Sequence, residues 1–280
     1  MIAEEEFLEH LQTAIAENRI VLPTLPEVAL RVRDAVEQET TTAQDLSNLV
    51  ATDAALSARL LQVANSPLYG GRIAINSIQM AITRLGTRMV RSLVVNLAMK
   101  QIFQPTTSEL DQRLRQLWED SVAIAAISRT LAQSQPHLDT EQAMLAGLIH
   151  NIGALPILTL ADDIQELMGC EERLNAILKK LTPIVGQQIL ETWNFPEALA
   201  VVPAHCHDLS YDGGAQADYV DVVLVASLQC STDAAQFCET AANWNDVPAF
   251  KKLGLKPEVA VIEIKGVAEE VTATEQMLAL

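Results

Sequence analysis

The chain has 280 residues, room for one large domain or two modest ones. Its residues are 49% apolar but only 4% aromatic, which excludes wholesale disorder and favours a core of Leu, Ile, Val, Ala and Met packed between helices. The net charge of −17 repels phosphate backbones and anionic lipid, so nucleic acid and membrane surfaces are excluded as default partners.

Helical spacing dominates from the start. Phe7, Leu8, Leu11, Ala14 and Ile15 share one face of a first helix. Leu22-Pro23-Thr24-Leu25-Pro26 breaks the chain, and Pro26 opens a helix carrying Val28, Leu30, Val32 and Val36. Thr42, with Asp45 three residues on, caps a short helix through Val50. Thr52 or Asp53 caps the next, with Leu56, Leu60, Leu61 and Ala64 inside. Asn65 to Gly71 is a turn-rich loop. Ser77 then opens one long helical region holding Ile78, Ala81, Ile82, Leu85, Met89, Leu93 and Leu97.

The second half continues in the same style. Leu114, Leu117, Trp118, Ser121, Val122 and Ala125 describe a helix apolar around much of its girth, which belongs inside. Gln142 to Ala161 runs for 20 residues without Lys, Arg, Asp or Glu, long enough to span a bilayer. It contains His150, Asn151, Gly153 and Pro156, lies between acidic flanks and lacks a positive-inside bias. We read it as a buried core helix that breaks near Gly153–Pro156. Short helices are expected at Ile184–Trp193 and Pro196–Ala204, a loop at Asp208–Ala215, and long helices at Tyr219–Cys238 and Glu258–Leu280, the last two joined by Trp244–Leu255. Val220–Val225 alone is ambiguous with a strand. The fold class is all-α.

Charge is segregated along the chain. Ala54 to Ser108 holds no Asp or Glu but carries Arg59, Arg72, Arg84, Arg88, Arg91 and Lys100, so this +6 window leaves −23 on the rest. Arg84, Arg88 and Arg91 stand at i, i+4 and i+7, so they form one stripe on the helix. Such a stripe pairs with carboxylates of the chain itself, docks an acidic partner protein, or holds a small phosphorylated ligand.

Cues for catalysis are sparse. Cys170, Cys206, Cys230 and Cys238 form no C-x-x-C pair and read as idle thiols. His150-Asn151 lies inside the apolar segment, and His205-Cys206-His207-Asp208 follows a later helix. His150 is either a hydrogen-bonded core histidine or a metal ligand, and a metal needs three or four converging donors. His205 and His207, two residues apart, diverge by about 200° if their segment is helical. Met1–His10 has four Glu and no basic n-region, so a cytoplasmic location is expected.

Several blocks, in order, resemble a known family. Ala146-Gly147-Leu148-Ile149-His150-Asn151-Ile152-Gly153 is similar to the A-G-L-L-H-D-I-G segment of the HD superfamily of metal-dependent phosphohydrolases. Leu25-Pro26, Leu60 through Pro67, Ile75 through Gly86, and Val185-Gly186 through Trp193-Asn194-Phe195-Pro196 to His205 resemble the HDOD family, the HD-related output domain of bacterial signalling proteins. The similarity runs over about residues 20 to 210, and Trp244–Leu255 looks like that family's C-terminal extension. The resemblance implies an all-α fold in two helical lobes, with an N-terminal helix at 1–18, the HDOD domain at 19–212 and a helical extension at 213–280 packed on the same domain.

Carried over position by position, the superfamily's first ligand histidine falls on Asp120, its HD pair on His150 and Asn151, and a further histidine on Thr182. The later histidine falls on His205 and the final aspartate on Ser227. Only His150 and His205 keep their type, with Asp120 as an oxygen donor. A neutral amide at Asn151 removes the charge that anchors a cation. The expectation is therefore a non-catalytic signalling module without a cofactor, acting through a protein partner or a small phosphorylated ligand. The alternative is a nucleotide or cyclic-dinucleotide phosphohydrolase whose altered site still takes a divalent metal; a third is a small-molecule sensor.

Overall fold

The computed structural model describes residues 7, 9–11, 13, 29, 31–32, 34–35, 42–66, 68–71, 74–102, 108–162, 164, 167, 169–231, 244–264 and 266–279. Among these residues there is no strand, and the molecule is all-α. Positions 7–13 and 29–35 are helical where described, with Phe7, Leu11 and Val32 buried. Leu8, Ala14, Ile15, Val28, Leu30, Val36 and Pro26, read as parts of those helices, lie outside the described residues.

The first lobe is built from α1 (Ala43–Val50), α2 (Ala54–Ala64), α3 (Ile78–Leu85) and α4 (Thr87–Ile102). Local chemistry sets their starts. Thr42 and Asp45 form the full reciprocal capping box, Asp53 accepts from the Leu56 amide at 2.9 Å, and Ser77 accepts from Met80 at 3.2 Å. The loop after α2 is closed by Asn65. Its Nδ2 donates to the Leu61 and Ile75 carbonyls, each at 2.8 Å, and its Oδ1 accepts from the Ile75 amide at 2.7 Å. The two bonds to Ile75 line up only if the loop folds back, so one amide side chain sets the approach to α3.

The region expected as one helix after Ser77 is two. Gly86 adopts φ 82 and ψ 157, a conformation open essentially to glycine, and ends α3 there. Arg84 therefore lies on α3 while Arg88 and Arg91 lie on α4, and the expected single stripe does not exist.

The second lobe centres on α5 (Ser108–Ala132), which packs along α6 (Thr140–Ile149) and also meets α11 (Tyr219–Ser231) and α13 (Val267–Ala279). Gly147 makes the α5–α6 crossing close: a Cβ there would lie 2.8 Å from the Ala125 amide nitrogen. α7 (Ala154–Asp162) continues after a turn at His150–Gly153 and rests on α8 (Glu171–Thr192). The break in the apolar segment thus comes just before Gly153–Pro156, and Pro156 sits in the first turn of α7, where its missing N–H costs nothing. Thr140–Asp162 is, among the described residues, one helical stretch long and apolar enough to cross a membrane, with mean hydropathy 1.7. Its apolar window is 89% buried inside the protein, where it forms the core.

Other expected boundaries shift. Ile184–Trp193 is the second half of α8, which runs straight through Pro183. Pro196–Ala204 resolves into two single turns, α9 (Glu197–Ala200) and α10 (Val202–His205), because Pro203 has no N–H to continue the ladder. α11 includes Val220–Val225, so no strand forms there, and residues 232–243 lie outside the described chain. Glu258–Leu280 is helical only from Val267, after a 3₁₀ turn at Val261–Glu263 and Gly266 at φ 88. The Trp244–Leu255 connection contains α12 (Pro248–Leu253), stopped by Gly254 in the left-handed region, with the Trp244 and Phe250 rings stacked at 5.7 Å.

Candidate functional site

The turn between α6 and α7 places His150 at the centre of the second lobe. Its Nδ1 donates to the Gly147 carbonyl at 2.6 Å. A carbonyl only accepts, so the proton of the neutral ring sits on Nδ1 and Nε2 carries the lone pair. Burial pushes the ring's pKa down to about 3, outweighing the Gly147 bond that favours the charged form, with nearby His207 also opposing the charge. Nε2 is buried and has no hydrogen-bond partner among the described residues.

Two adjoining cavities open beside this turn. An outer one of about 750 Å³ lies between α5, α7 and α8 and is lined by Arg113, Asn175, Lys179 and Thr182, among others. An inner one of about 440 Å³ reaches His150, Ser227 and the apolar Ala123, Ile124, Leu224 and Leu228. Asp120, Asn151 and His207 line both. The structure therefore brings Asp120, His150, Asn151, Thr182 and Ser227 to one cleft. These positions are 107 residues apart at their extremes, and they converge because α5, α6, α8 and α11 pack around a single turn.

His205 is the exception. Its ring faces Tyr211 at 5.1 Å, whereas His207 faces His150 with ring centroids 6.0 Å apart and planes at 66°. The segment is helical up to Cys206, so the two histidines diverge, and it is the ring of His207, an exposed residue, that lies beside His150. The family resemblance pointed to His205; the histidine that lines both cavities is His207. Partial burial and the positive Lys179 lower the His207 pKa. Cys206 is fully enclosed, its Sγ 3.8 Å from the Pro203 carbonyl, and burial pushes its thiol up to about 12, so it supplies no thiolate.

The donor set is poor for a hydrolytic cation. Among the described residues no three His, Cys, Asp or Glu side chains converge to hold a metal ion. Asp120 is exposed, and its Oδ1 accepts from Gln116 at 2.8 Å. At the position after His150 stands the neutral amide of Asn151, and Ser227 Oγ is buried without a partner. Two neutral imidazoles and an amide supply no charge to bind the cation or to balance a metal-bound hydroxide, and the carboxylates on the cleft, Asp120 and Asp208, are exposed and accept from Gln116 and Ser210 instead.

The arginines lie elsewhere. Arg88 and Arg91 border a shallow hollow of about 60 Å³ with Asp139, Gln142, Phe195 and Pro196, and neither lines the cleft. Arg84 lies over Gly71, its Cζ 3.4 Å from where a Cβ would stand.

Two further groups had no sequence signal. Tyr69 Oη donates to Glu141 Oε1 at 2.9 Å, and Arg129 Nε meets the same oxygen at 2.9 Å. Lys252 on α12 binds Asp212 at 2.9 Å and Asp221 at 3.2 Å, anchoring the loop after His207. Both depend on long-range packing, and neither leaves a local pattern.

With this geometry in place, the matches to known proteins fall together. The HDOD domain family model matches residues 22–209. The chain belongs to the HDOD family. A relative, an uncharacterized protein from Treponema pallidum (strain Nichols), is 26% identical over 215 residues. That match spans 72% of this chain but 40% of the relative, so the chain covers less than half of that protein's length. Among solved structures, a Shewanella amazonensis SB2B protein whose name proposes a metal-dependent phosphohydrolase superposes with TM-score 0.80 at 26% identity, covering 98% of this chain and 99% of that one. An HDOD domain protein from Geobacter sulfurreducens gives TM-score 0.71 at 21% identity, with 98% and 100% covered. A Marinobacter aquaeolei VT8 protein whose name proposes signal transduction gives 0.67 at 19%, with 99% and 66% covered, and these last two likenesses concern the HDOD fold alone. Asn65 clamps its loop, while Asn194 at φ 54 and Pro196 turn the chain out of α8.

Proposed function

We propose that this HDOD domain is a non-catalytic signalling module of the cytoplasm. The observation that carries the reading is the donor set at His150: a neutral, buried imidazole faced by His207 and flanked by Asn151, with the carboxylate of Asp120 turned to Gln116. Hydrolysis of a phosphate ester by this superfamily's chemistry needs a metal to lower the pKa of a water and to polarise the phosphoryl oxygen, and these side chains do not fit that metal. The cleft then serves as a place for a small ligand. The basic window of the first lobe, with Arg88 and Arg91 beside the second lobe, serves as a docking face for an acidic signalling protein. Membrane and nucleic acid are not partners, because the rest of the chain is strongly acidic.

The name of the Shewanella relative favours the rival reading, a metal-dependent phosphohydrolase. Elemental analysis of the purified protein, run beside a phosphodiesterase assay with added Mn, Fe, Ni or Zn, separates the two. The signalling reading expects well under one metal per chain and no turnover. One equivalent of metal, lost together with turnover in His150→Ala, overturns it.

A further inference from the structure

We infer that the inner cavity is a binding site for a small neutral molecule with an O–H or N–H donor on an apolar frame, such as an alcohol, a phenol or an N–H heterocycle, and that it rejects phosphate. The inference rests on the metal-free reading of the centre and names the ligand class that the same cleft takes.

Two buried polar atoms with no partner among the described residues belong to side chains lining this cavity, His150 Nε2 and Ser227 Oγ. Buried polar groups in native proteins are nearly always satisfied, so two such atoms on one chamber mark a place where something binds. Their chemistry selects what. The Gly147 carbonyl holds the His150 proton on Nδ1, so Nε2 can only accept, and burial keeps the ring neutral. A phosphate oxygen also accepts and meets only a lone pair there. A hydroxyl or ring N–H donates and completes the histidine, while the Ser227 hydroxyl turns to suit it.

Much of the remaining wall is apolar, Ala123, Ile124, Leu224 and Leu228 with Leu209 at 46% exposure, while Asp120, Asn151 and His207 stand where the inner cavity adjoins the outer one, the Asp120 carboxylate there opposing an anion. An apolar ligand would cover Leu209, which otherwise stands in water on the loop after His207. The volume of about 440 Å³ is that of an ordinary small-molecule pocket.

The test pairs phenol with anisole, matched rings that differ in the donor. Both are titrated into the full chain while the His150 ring resonances are followed by NMR, with inorganic phosphate as a third probe. Phenol is expected to bind saturably at His150, anisole at least about tenfold more weakly, and phosphate to leave both unchanged. His150→Phe should lose the phenol–anisole difference, and Ser227→Ala, which removes one buried hydroxyl that bonds to no other group of the fold among the described residues, should weaken phenol several-fold. If His150→Phe does not fold, wild type and Ser227→Ala decide alone. Equal binding of the two rings, displacement of phenol by phosphate, or no shift at His150 overturns the inference. Metal content is read on the same sample: one equivalent at His150 overturns the metal-free reading, whereas failure of phenol on metal-free protein overturns this inference only.

Discussion

Arg129 on α5 and Glu141 at the start of α6 form a buried ion pair, Nε to Oε1 at 2.9 Å, beneath the ring of Tyr69. Tyr69 belongs to the loop after α2, so this cluster fastens the first lobe to the second. Glu141 Oε2 has no partner, and burial pushes the carboxyl above its ordinary range despite the arginine. The pair is therefore costly to form and costlier to break. Arg129→Ala should lower stability by about 3–5 kcal/mol, since it leaves a buried carboxylate alone. Replacing both, Arg129→Met with Glu141→Leu, should recover most of that loss. Urea unfolding midpoints of the single and double variants check this, and additive losses would contradict it.

Gly153 and Gly186 let the His150 turn lie against α8. A Cβ on Gly186 would stand 2.7 Å from the Pro203 Cβ, and one on Gly153 would run into the Thr182 carbonyl and the Gly186 amide. Gly186→Ala meets the Cβ of a proline ring, which yields only with its own backbone, and should cost about 3 kcal/mol. Gly153→Ala meets backbone on both sides and should cost about 4 kcal/mol or more. Thermal unfolding of the two variants should show that order; a Gly153→Ala protein as stable as wild type would remove the close approach from the account.

What was legible in the sequence was local. Thr42 with Asp45, Asp53 and Ser77 announce helix starts because capping is a bond between neighbours, and the apolar faces of α2 and α5 follow from spacing. Boundaries set by tertiary packing were not legible. The helix expected to start at Ile184 instead runs on from Glu171 through Pro183, because packing on both sides of that proline outweighs one lost bond. Five cleft positions, Asp120, His150, Asn151, Thr182 and Ser227, could be named from family resemblance, whereas His207 could not. Choosing between His205 and His207 required the direction of a side chain, which depends on whether the segment is coiled or extended. Tyr69 and Glu141, 72 residues apart, had no pattern to betray them.

Gly86 separates α3 from α4 and so decides how Arg84 is placed relative to Arg88. No atom lies within 4 Å of a Cβ built there, so a side chain meets no obstacle. The conformation itself, φ 82 and ψ 157, is the constraint. Gly86→Ala should therefore cost about 1–3 kcal/mol from backbone strain alone. Its denaturant m-value should be unchanged, because the surface exposed on unfolding is the same. A neutral substitution would mean that the two helices join without penalty, restoring the three arginines to one stripe.

His150 gives the fold a specific acid sensitivity. Its folded pKa of about 3 lies below the ordinary value of 6.5, because the buried ring resists charge. Below pH 6.5 the unfolded chain therefore binds a proton that the folded chain refuses, and stability falls as pH falls. The contribution is fully present above pH 6.5 and is lost progressively down to about pH 3. Between pH 7 and pH 5 this one residue should remove about 2 kcal/mol. His207, also lowered, acts in the same direction. His150→Gln loses the titration whatever it does to stability at neutral pH, so wild type should lose about 2 kcal/mol more than the variant over that interval. Parallel urea titrations at pH 7, 6 and 5 measure the difference in slope. Identical slopes would show that His150 takes up a proton in the folded protein, which would also free Nε2 to donate and dissolve the acceptor chemistry assigned to the inner cavity.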